Sequence, residues 1–133
     1  MVAVDTNIVI RLITGDDADQ LEQATCLVEN SGIWIGQTVT LETTWVLEHL
    51  YGASMEEIRA SLRNLSETDG VHFESEDRLH IALGLTENGV EISDALHLAF
   101  STNSLASFYT FDKKFQRRAS RSGHPISLLT SYS

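Results

Sequence analysis

The sequence predicts an α/β fold, a three-layer sandwich in which helices flank a mainly parallel sheet of about five strands. Short apolar runs of strand character alternate with amphipathic segments of helical period along the chain. This alternation is typical of parallel sheets, whose strands are joined by helical crossovers. The 133 residues contain one proline and no linker or low-complexity tract, so we expect a single domain over residues 1–133.

The elements of the first half are marked by apolar patterns and by helix signals. We expect strands at residues 2–4, 33–35 and 71–73, and helices at residues 7–13, 16–30, 38–51 and 54–65. Gly15, Gly32 and Gly52 follow the first three helical patterns, and glycine commonly ends a helix because it adopts left-handed backbone angles. Ser54 and Glu57 have the spacing of a capping box, which indicates the start of the fourth helix.

The second half repeats the alternation. We expect helices at residues 77–88, 93–102 and 113–120, and strands at residues 107–111 and 126–129. Gly89 and Gly123 end two of the helical patterns. Ser93 and Asp94 are residues that cap a helix start. Pro125, the single proline, precedes the last strand.

The composition indicates a protein with a core of its own. Hydrophobic residues make up 42% of the chain, and Cys26 is the lone cysteine, so it cannot form a disulfide within the chain. We expect Cys26 to be a small buried residue. No apolar stretch approaches the roughly 20 residues of a membrane span, and the first residues lack the basic segment of a signal peptide. We therefore expect a cytoplasmic protein.

The net charge of −10 argues against a broad nucleic-acid-binding surface, because phosphate groups are normally bound by basic residues. The positive charge is concentrated, however. Of the nine lysines and arginines, five lie in one short segment: Lys113, Lys114, Arg117, Arg118 and Arg121. Such a run is either a solvated helix face or a local contact for an RNA backbone, and the sequence leaves both open.

Three aspartates occupy the ends of predicted elements. Asp5 directly follows the first strand, Asp112 directly follows a later strand, and Asp94 opens a helix. Ligands of open α/β sheets bind outside the carboxyl ends of the strands, so Asp5 and Asp112 are expected at one rim. Aspartate is also a preferred helix cap, which remains the alternative for Asp94 and Asp112, and Asp5 could form a turn.

Glu42 is the fourth candidate. It shares a helical stripe with Val39, Val46 and Leu50, and a carboxylate on an apolar stripe is costly unless it is paired or bound to a cation. Extension of the carboxylate to solvent, or pairing with a basic residue, is the alternative. Clustered carboxylates without cysteine or spaced histidines form a hard oxygen site that suits Mg²⁺ or Mn²⁺, and such ions support phosphodiester hydrolysis.

At these residues the chain resembles the PIN-domain nucleases, and among them the VapC-type toxins of toxin–antitoxin modules. The resemblance covers nearly the full length. Its parts are V-D-T-N at 4–7, Glu42, S-D-A-L-H-L-A at 93–99 and T-F-D-K-K-F at 110–115. Some members carry a further acidic residue shortly after the last aspartate, where this chain has Lys113 and Lys114.

The resemblance implies a PIN-like parallel sheet and a Mg²⁺- or Mn²⁺-dependent endoribonuclease that is the toxin of a type II toxin–antitoxin system. It also implies a homodimer and a small antitoxin protein as partner. Carried over by position, the catalytic and metal-binding residues are Asp5, Glu42, Asp94 and Asp112, with Thr6, Asn7 and Thr110 as supporting polar residues.

Two other functions remain open. Asp5 at the end of a first strand permits a phosphatase or phosphotransfer domain, although position 7 is asparagine where haloacid-dehalogenase-like enzymes have a second aspartate. A non-catalytic PIN-like binding module is the other alternative. The candidates for RNA binding are Arg11, Lys113, Lys114 and Arg117. For Arg11, pairing with other side chains on the helix surface is the alternative.

Overall fold

The computed structural model describes residues 1–101 and 107–130, which form two compact units divided after Glu76. The elements are β1 (Val2–Ala3), α1 (Thr6–Thr14), α2 (Ala18–Ser31), β2 (Ile33–Ile35), α3 (Gln37–His49), α4 (Met55–Ser66), β3 (Val71–Phe73), α5 (Glu76–Glu87), α6 (Ile92–Ser101), β4 (Phe108–Thr110), α7 (Lys113–Arg121) and β5 (Ile126–Leu128).

The first unit contains a parallel sheet with the strand order β1-β2-β3. Its register pairs Val2 with Ile33, and Ile33 in turn with Val71. Strand β2 is central, and both Ile33 and Ile35 are fully buried, as continuous apolar runs are in parallel sheets. Ile58 and Leu62 of α4 are also fully buried, so the apolar faces of the helices complete this core.

Local signals set the ends of the helices in the first unit. Gly15 follows α1 with a φ of 62°, the left-handed conformation that glycine adopts at low cost. Helix α4 begins at Ser54, whose side chain accepts from the Glu57 N–H while the Glu57 carboxylate accepts from the Ser54 N–H. The predicted capping box is therefore confirmed.

The second unit has a pair of parallel strands, β4 and β5, in which Tyr109 pairs with Ser127. Its helices supply most of its core. The fully or almost fully buried side chains of α5 and α6 are Leu79, Ala82, Leu83, Leu85, Ala95, Leu96, Leu98 and Ala99. The two apolar helices therefore bury more side-chain volume here than the short strands do.

The predicted α/β fold with parallel strands is confirmed. Five strands occur in the described residues, three in the first unit and two in the second, and all strand pairs are parallel. Most predicted helices begin or end within two residues of the observed bounds. The predicted end of the sixth helix at Thr102 lies outside the described residues, and the single-domain organisation stays a prediction.

The prediction for helix α3 placed the wrong face in the core. Its buried residues are Thr40, Thr43, Thr44 and Leu47. Val39 and Val46 are only half-buried and Leu50 is 68% exposed, so the stripe that contains Glu42 faces outward. Trp45 of the same helix is 54% exposed. Threonines can cover the inner face because their methyl groups pack, while the hydroxyls of Thr40 and Thr44 donate to the Gly36 and Leu41 carbonyls.

Cys26 was also expected to be buried, and this prediction is wrong. The residue is exposed on α2, where the buried positions are Ala24 and Val28. A short side chain on a solvated helix face has no apolar surface to pack against, so its composition-based tendency to be buried does not decide its place.

Thr43 provides a stability test of this inner face. Its side chain is fully buried, and among the described residues its Oγ1 has no hydrogen-bond partner. Thr43→Val should raise the free energy of unfolding by about 1 kcal/mol, because an unsatisfied buried hydroxyl is replaced by a methyl group of similar size. Urea unfolding would measure the change.

Thr44→Val is the matched control. Thr44 is equally buried, but its Oγ1 donates to the Leu41 carbonyl at 2.7 Å, so its substitution should not stabilise the protein. If both variants are equally stabilised, the gain comes from side-chain packing and not from the removed hydroxyl.

Candidate active site

Asp5 begins helix α1 in the first unit. It lies two residues after β1, and its Oδ1 accepts the Ile8 N–H at 3.3 Å as the N-cap of the helix. Capping, which the sequence offered as a role for other aspartates, is thus found at Asp5 as well. It occupies one carboxylate oxygen, and no described residue donates to Oδ2. The exposed side chain is held by its cap while Oδ2 can accept a ligand.

The two polar residues after Asp5 have different surroundings. Thr6 is buried at 7% exposure, whereas Asn7 is exposed. Asp5 and Asn7 both line a cavity of about 390 Å³ in the first unit, beside α1 and α2. Of Thr6 and Asn7, two of the three predicted supporting residues, Asn7 is therefore the one whose side chain can meet a ligand beside Asp5.

Glu42 lies on the exposed face of α3. In the part of the chain that the structure describes, no hydrogen bond or ion pair involves its carboxylate. The sequence argument that burial makes Glu42 costly is therefore wrong, because the stripe it shares with Val39 and Val46 is the outer one. Its place in the metal site stays a prediction that depends on the family resemblance.

Arg11 is held by polar contacts on the helix surface. Its Nε donates to Gln20 Oε1 at 2.7 Å, and its Nη1 donates to Asp16 Oδ1 at 3.1 Å and to the Tyr51 hydroxyl at 3.3 Å. Tyr51 in turn donates to Asp16 Oδ2 at 2.7 Å. The pairing that the sequence left as the alternative is therefore present, and Arg11 also lines the cavity beside Asp5.

The second unit brings Asp94 and Asp112 together. Both side chains line one small cavity of about 40 Å³, and Glu91 lines it as well. Glu91 was missed by the sequence analysis, although it stands three residues before Asp94 and directly before the first residue of α6. That spacing is the signal that could have identified it.

Asp94 shows the electrostatic effect of this grouping. Partial burial raises the pKa of the Asp94 carboxyl above its ordinary value of 3.8, and the negative charges of Glu91 and Asp112 raise it further. His97 on the same helix opposes the shift. Asp94 lies at the third position of α6, inside the first turn, so the prediction that it caps this helix is wrong.

Asp112 directly precedes α7 as its N-cap. Its Oδ1 accepts the Phe115 N–H at 3.0 Å, so the capping alternative is correct for this residue, and no described residue donates to Oδ2. The Thr110 Oγ1 accepts the Asp112 N–H at 3.0 Å. This contact holds the turn between β4 and α7 and thereby orients the carboxylate.

Two contacts hold α7 against the loop before α6. Arg118 Nη1 donates to the Gly89 carbonyl at 2.6 Å, and Asn88 Nδ2 donates to Ser122 Oγ at 2.8 Å. Gly89 has a φ of 85°, and a Cβ there would lie 3.3 Å from Arg118 Nε. The loop and α7 carry Glu91 and Asp112, so these contacts help to fix the distance between the two acids.

The other basic residues of α7 are at the surface. Lys113, Lys114 and Arg117 are exposed, and no described residue forms an ion pair or hydrogen bond with their side chains. Lys114 also lines the cavity that contains Asp94 and Asp112. Positive charge therefore lies directly beside the acids. Within the described residues, Lys113, Lys114 and Arg117 are not neutralised by ion pairs.

The described residues contain no group of three or more acidic, histidine or cysteine side chains arranged to hold a metal ion. The full quartet of Asp5, Glu42, Asp94 and Asp112 accordingly stays a prediction. The chemistry of Asp94 and Asp112 nevertheless suits a hard divalent cation, because the two carboxylates line one cavity, repel each other, and would repel less with a cation between them.

Within the described ranges 1–101 and 107–130, no helix combines the length and the apolar character needed to cross a membrane.

The raised pKa of Asp94 predicts a stability effect. The folded state binds the Asp94 proton more tightly than the unfolded chain, so its contribution to stability is complete below pH 3.8 and is lost as pH rises through the raised pKa. Asp94→Asn removes an ionised, repelled carboxylate and should raise the melting temperature at neutral pH. The difference from wild type should shrink toward about pH 4.

Thermal unfolding followed by circular dichroism from about pH 4 to neutral pH would measure this difference in melting temperature. Glu22→Gln, at an exposed position of α2, is the control and should leave the pH dependence as in wild type. An Asp94→Asn variant that is less stable than wild type at neutral pH would show that the carboxylate stabilises the fold instead.

Comparison with known proteins adds a family match. The PIN domain model matches residues 2–120, most of the chain. None of the curated proteins matches. Among solved structures, VapBC2 from Rickettsia felis bound to a DNA fragment from their promoter is similar at 16% identity and a TM-score of 0.36, over 96% of this chain and 98% of that chain. This structural similarity is too low to assign a shared activity or partner.

Proposed function

Because this chain belongs to the PIN domain family, we propose that it is a nuclease that hydrolyses phosphodiester bonds of RNA with Mg²⁺ or Mn²⁺. The observation that carries the proposal is the convergence of Asp94 and Asp112 on one cavity, with a raised pKa at Asp94 caused by burial and by neighbouring carboxylates. Carboxylates that are partly buried beside one another lower stability when ionised, and such groupings are common where a site binds a cation, which supports this function.

In this proposal Asp5, Glu42, Asp94 and Asp112 hold the divalent cation. When bound, the ion lowers the pKa of an attacking water and neutralises charge on the phosphate that is cleaved. Asp5 and Asp112 contribute oriented carboxylates, since each is held through Oδ1 by its helix cap and keeps Oδ2 available. Asp94 must be ionised to take part, so its raised pKa reduces the capacity of the site at acidic pH.

The basic residues at the start of α7 suit the RNA backbone. Lys113, Lys114 and Arg117 are exposed and immediately follow Asp112. Lysine and arginine contacts to phosphates position a nucleic acid without reading its sequence. A local cluster of this kind allows RNA to bind to a chain whose net charge is −10, because exposed charges beyond about 10 Å are largely screened at moderate salt.

We further propose that the nuclease is the toxin of a type II toxin–antitoxin system and acts as a homodimer that a small antitoxin blocks. This rests on the sequence motifs at 4–7, 93–99 and 110–115, which resemble the VapC-type toxins. The outer side of α3 and its end offer apolar contact area, since Trp45, Leu50 and Tyr51 are 54%, 68% and 41% exposed. Large exposed apolar side chains commonly mark protein–protein contacts.

The activity test compares two acid variants with wild type. Asp5→Asn and Asp94→Asn should each lower the rate of RNA cleavage by more than about 100-fold, since even residues that only support a metal ligand change activity by 10–100-fold. Cleavage of a labelled single-stranded RNA should require Mg²⁺ or Mn²⁺ and stop with EDTA.

Asp77→Asn, which alters an exposed acid of α5, is the matched control and should cleave like wild type. Circular dichroism confirms that each variant is folded. Cleavage by Asp5→Asn or Asp94→Asn at the wild-type rate would remove these residues from the active site, and unchanged cleavage in EDTA would exclude the metal dependence.

The partner test uses growth and co-purification. Expression of the wild-type chain should arrest bacterial growth, and co-expression of the small protein encoded next to it should restore growth and yield a stable complex. Asp94→Asn should not arrest growth but should still co-purify with that protein. Growth arrest by Asp94→Asn equal to wild type would separate toxicity from the proposed nuclease site.

A further inference from the structure

The cavity beside Asp5 is larger than a metal site requires. Its volume is about 390 Å³, within the range of cavities that hold small organic ligands. It is formed in the first unit, by residues of α1 and α2 together with Asp5. The residues that line it are Asp5, Asn7, Ile8, Arg11, Gln20, Gln23, Ala24 and Leu27. A proposed catalytic carboxylate is thus part of the wall of a pocket of ligand size.

The apolar part of this wall suits a flat ring. Ile8 and Leu27 are half-buried, and Ala24 is 6% exposed. Aliphatic side chains of this kind can pack against the faces of a planar aromatic group and remove its surface from water. The small Ala24 side chain leaves room that a larger residue on α2 would fill.

The polar part of the wall presents hydrogen-bond donors. Gln20 Oε1 accepts from Arg11 Nε, which leaves the Gln20 amide NH₂ to donate to a ligand. Arg11 Nη1 is engaged by Asp16 and Tyr51, while no described residue accepts from its Nη2. Arg11 therefore has a fixed position, and its Nη2 is available to donate to a ligand.

The network behind Arg11 persists at neutral pH. The pKa of the Asp16 carboxyl is lowered by hydrogen bonds from Tyr51 and Thr14 and by the charge of Arg11. Asp16 is thus ionised and keeps Arg11 in place. Gln23 is not part of this network. It is exposed and lines the cavity, and no described residue bonds to its side-chain amide, so the amide is available to a ligand.

We propose that this cavity binds one nucleobase of the RNA substrate, with guanine preferred, and that Gln23 is a specificity-determining residue. The proposal rests on the proposed ribonuclease function, because it is the proximity to Asp5 that makes a nucleotide the ligand. Guanine presents two adjacent acceptors, O6 and N7, which match guanidinium and amide donors. The aliphatic wall packs on the ring without distinguishing bases, so the polar groups set the preference.

The first experiment measures cleavage of four short RNAs that differ at one base near the cut position. Wild type should cleave the guanine substrate about tenfold faster than the others, the discrimination that a good base contact provides. Gln23→Glu replaces a donor by an acceptor, and should shift the preference toward cytosine, whose N4 amino group is a donor. For each protein, the cleavage rates of the four RNAs are compared as ratios, so a variant that cleaves all four more slowly keeps the same preference.

Thr25→Ala on the same helix is the matched control. Thr25 is exposed and does not line the cavity, so its variant should keep the wild-type preference. Equal cleavage of the four RNAs by wild type, or an unchanged preference in Gln23→Glu, would overturn the base-binding role of the cavity while leaving the ribonuclease function intact.

The second experiment does not depend on cleavage. Guanosine, adenosine, cytidine and uridine are titrated into the protein, and the backbone amides of Ile8 and Ala24 are followed by NMR. Guanosine should shift these signals at the lowest concentration, and Gln23→Ala should weaken its binding several-fold. Absence of any shift with all four nucleosides would overturn the proposal, whereas guanosine binding without RNA cleavage would support the cavity and count against the nuclease.

Discussion

The candidate site depends on carboxylates that stand where a strand has ended and a helix begins. At Asp5 and Asp112 one oxygen accepts a backbone N–H of the first helical turn, which would otherwise lack a partner. The same contact fixes the direction of the second oxygen. A helix cap and a ligand position are therefore compatible in one side chain, and the capping role that the sequence raised as an alternative does not compete with function.

In the second unit, the grouping of acids that suits a cation lowers the stability of the fold, whereas the helix caps of Asp5 and Asp112 serve both stability and function. Asp94 is partly buried beside Glu91 and Asp112, and all three influences raise its pKa. The contacts of Arg118 with Gly89 and of Asn88 with Ser122 hold the elements that carry these acids. Repulsion that a surface loop would relieve by moving is kept in place here, as is common at functional sites.

The local charge and polarity of two regions differ from the acidic character of the chain as a whole. The chain has a net charge of −10, yet three basic residues at the start of α7 are exposed and unpaired within the described residues. The first unit places donors, among them Arg11 and Gln20, around a cavity beside Asp5. An acidic protein can thus offer an anionic substrate two local regions of suitable chemistry, because screening limits the reach of distant charges.

The sequence by itself determined the α/β class, most helix and strand bounds and the acidic candidates, since periodicity, caps and glycine stops are local signals. It failed where a choice depends on the neighbouring element. The stripe of Val39, Val46 and Leu50 and the threonine face of α3 both have helical spacing, and packing buried the threonines. The same choice left Glu42 exposed.

Only the tertiary structure decided that Asp112 meets Glu91 and Asp94, and that a cavity lies beside Asp5, because both depend on which segments pack together.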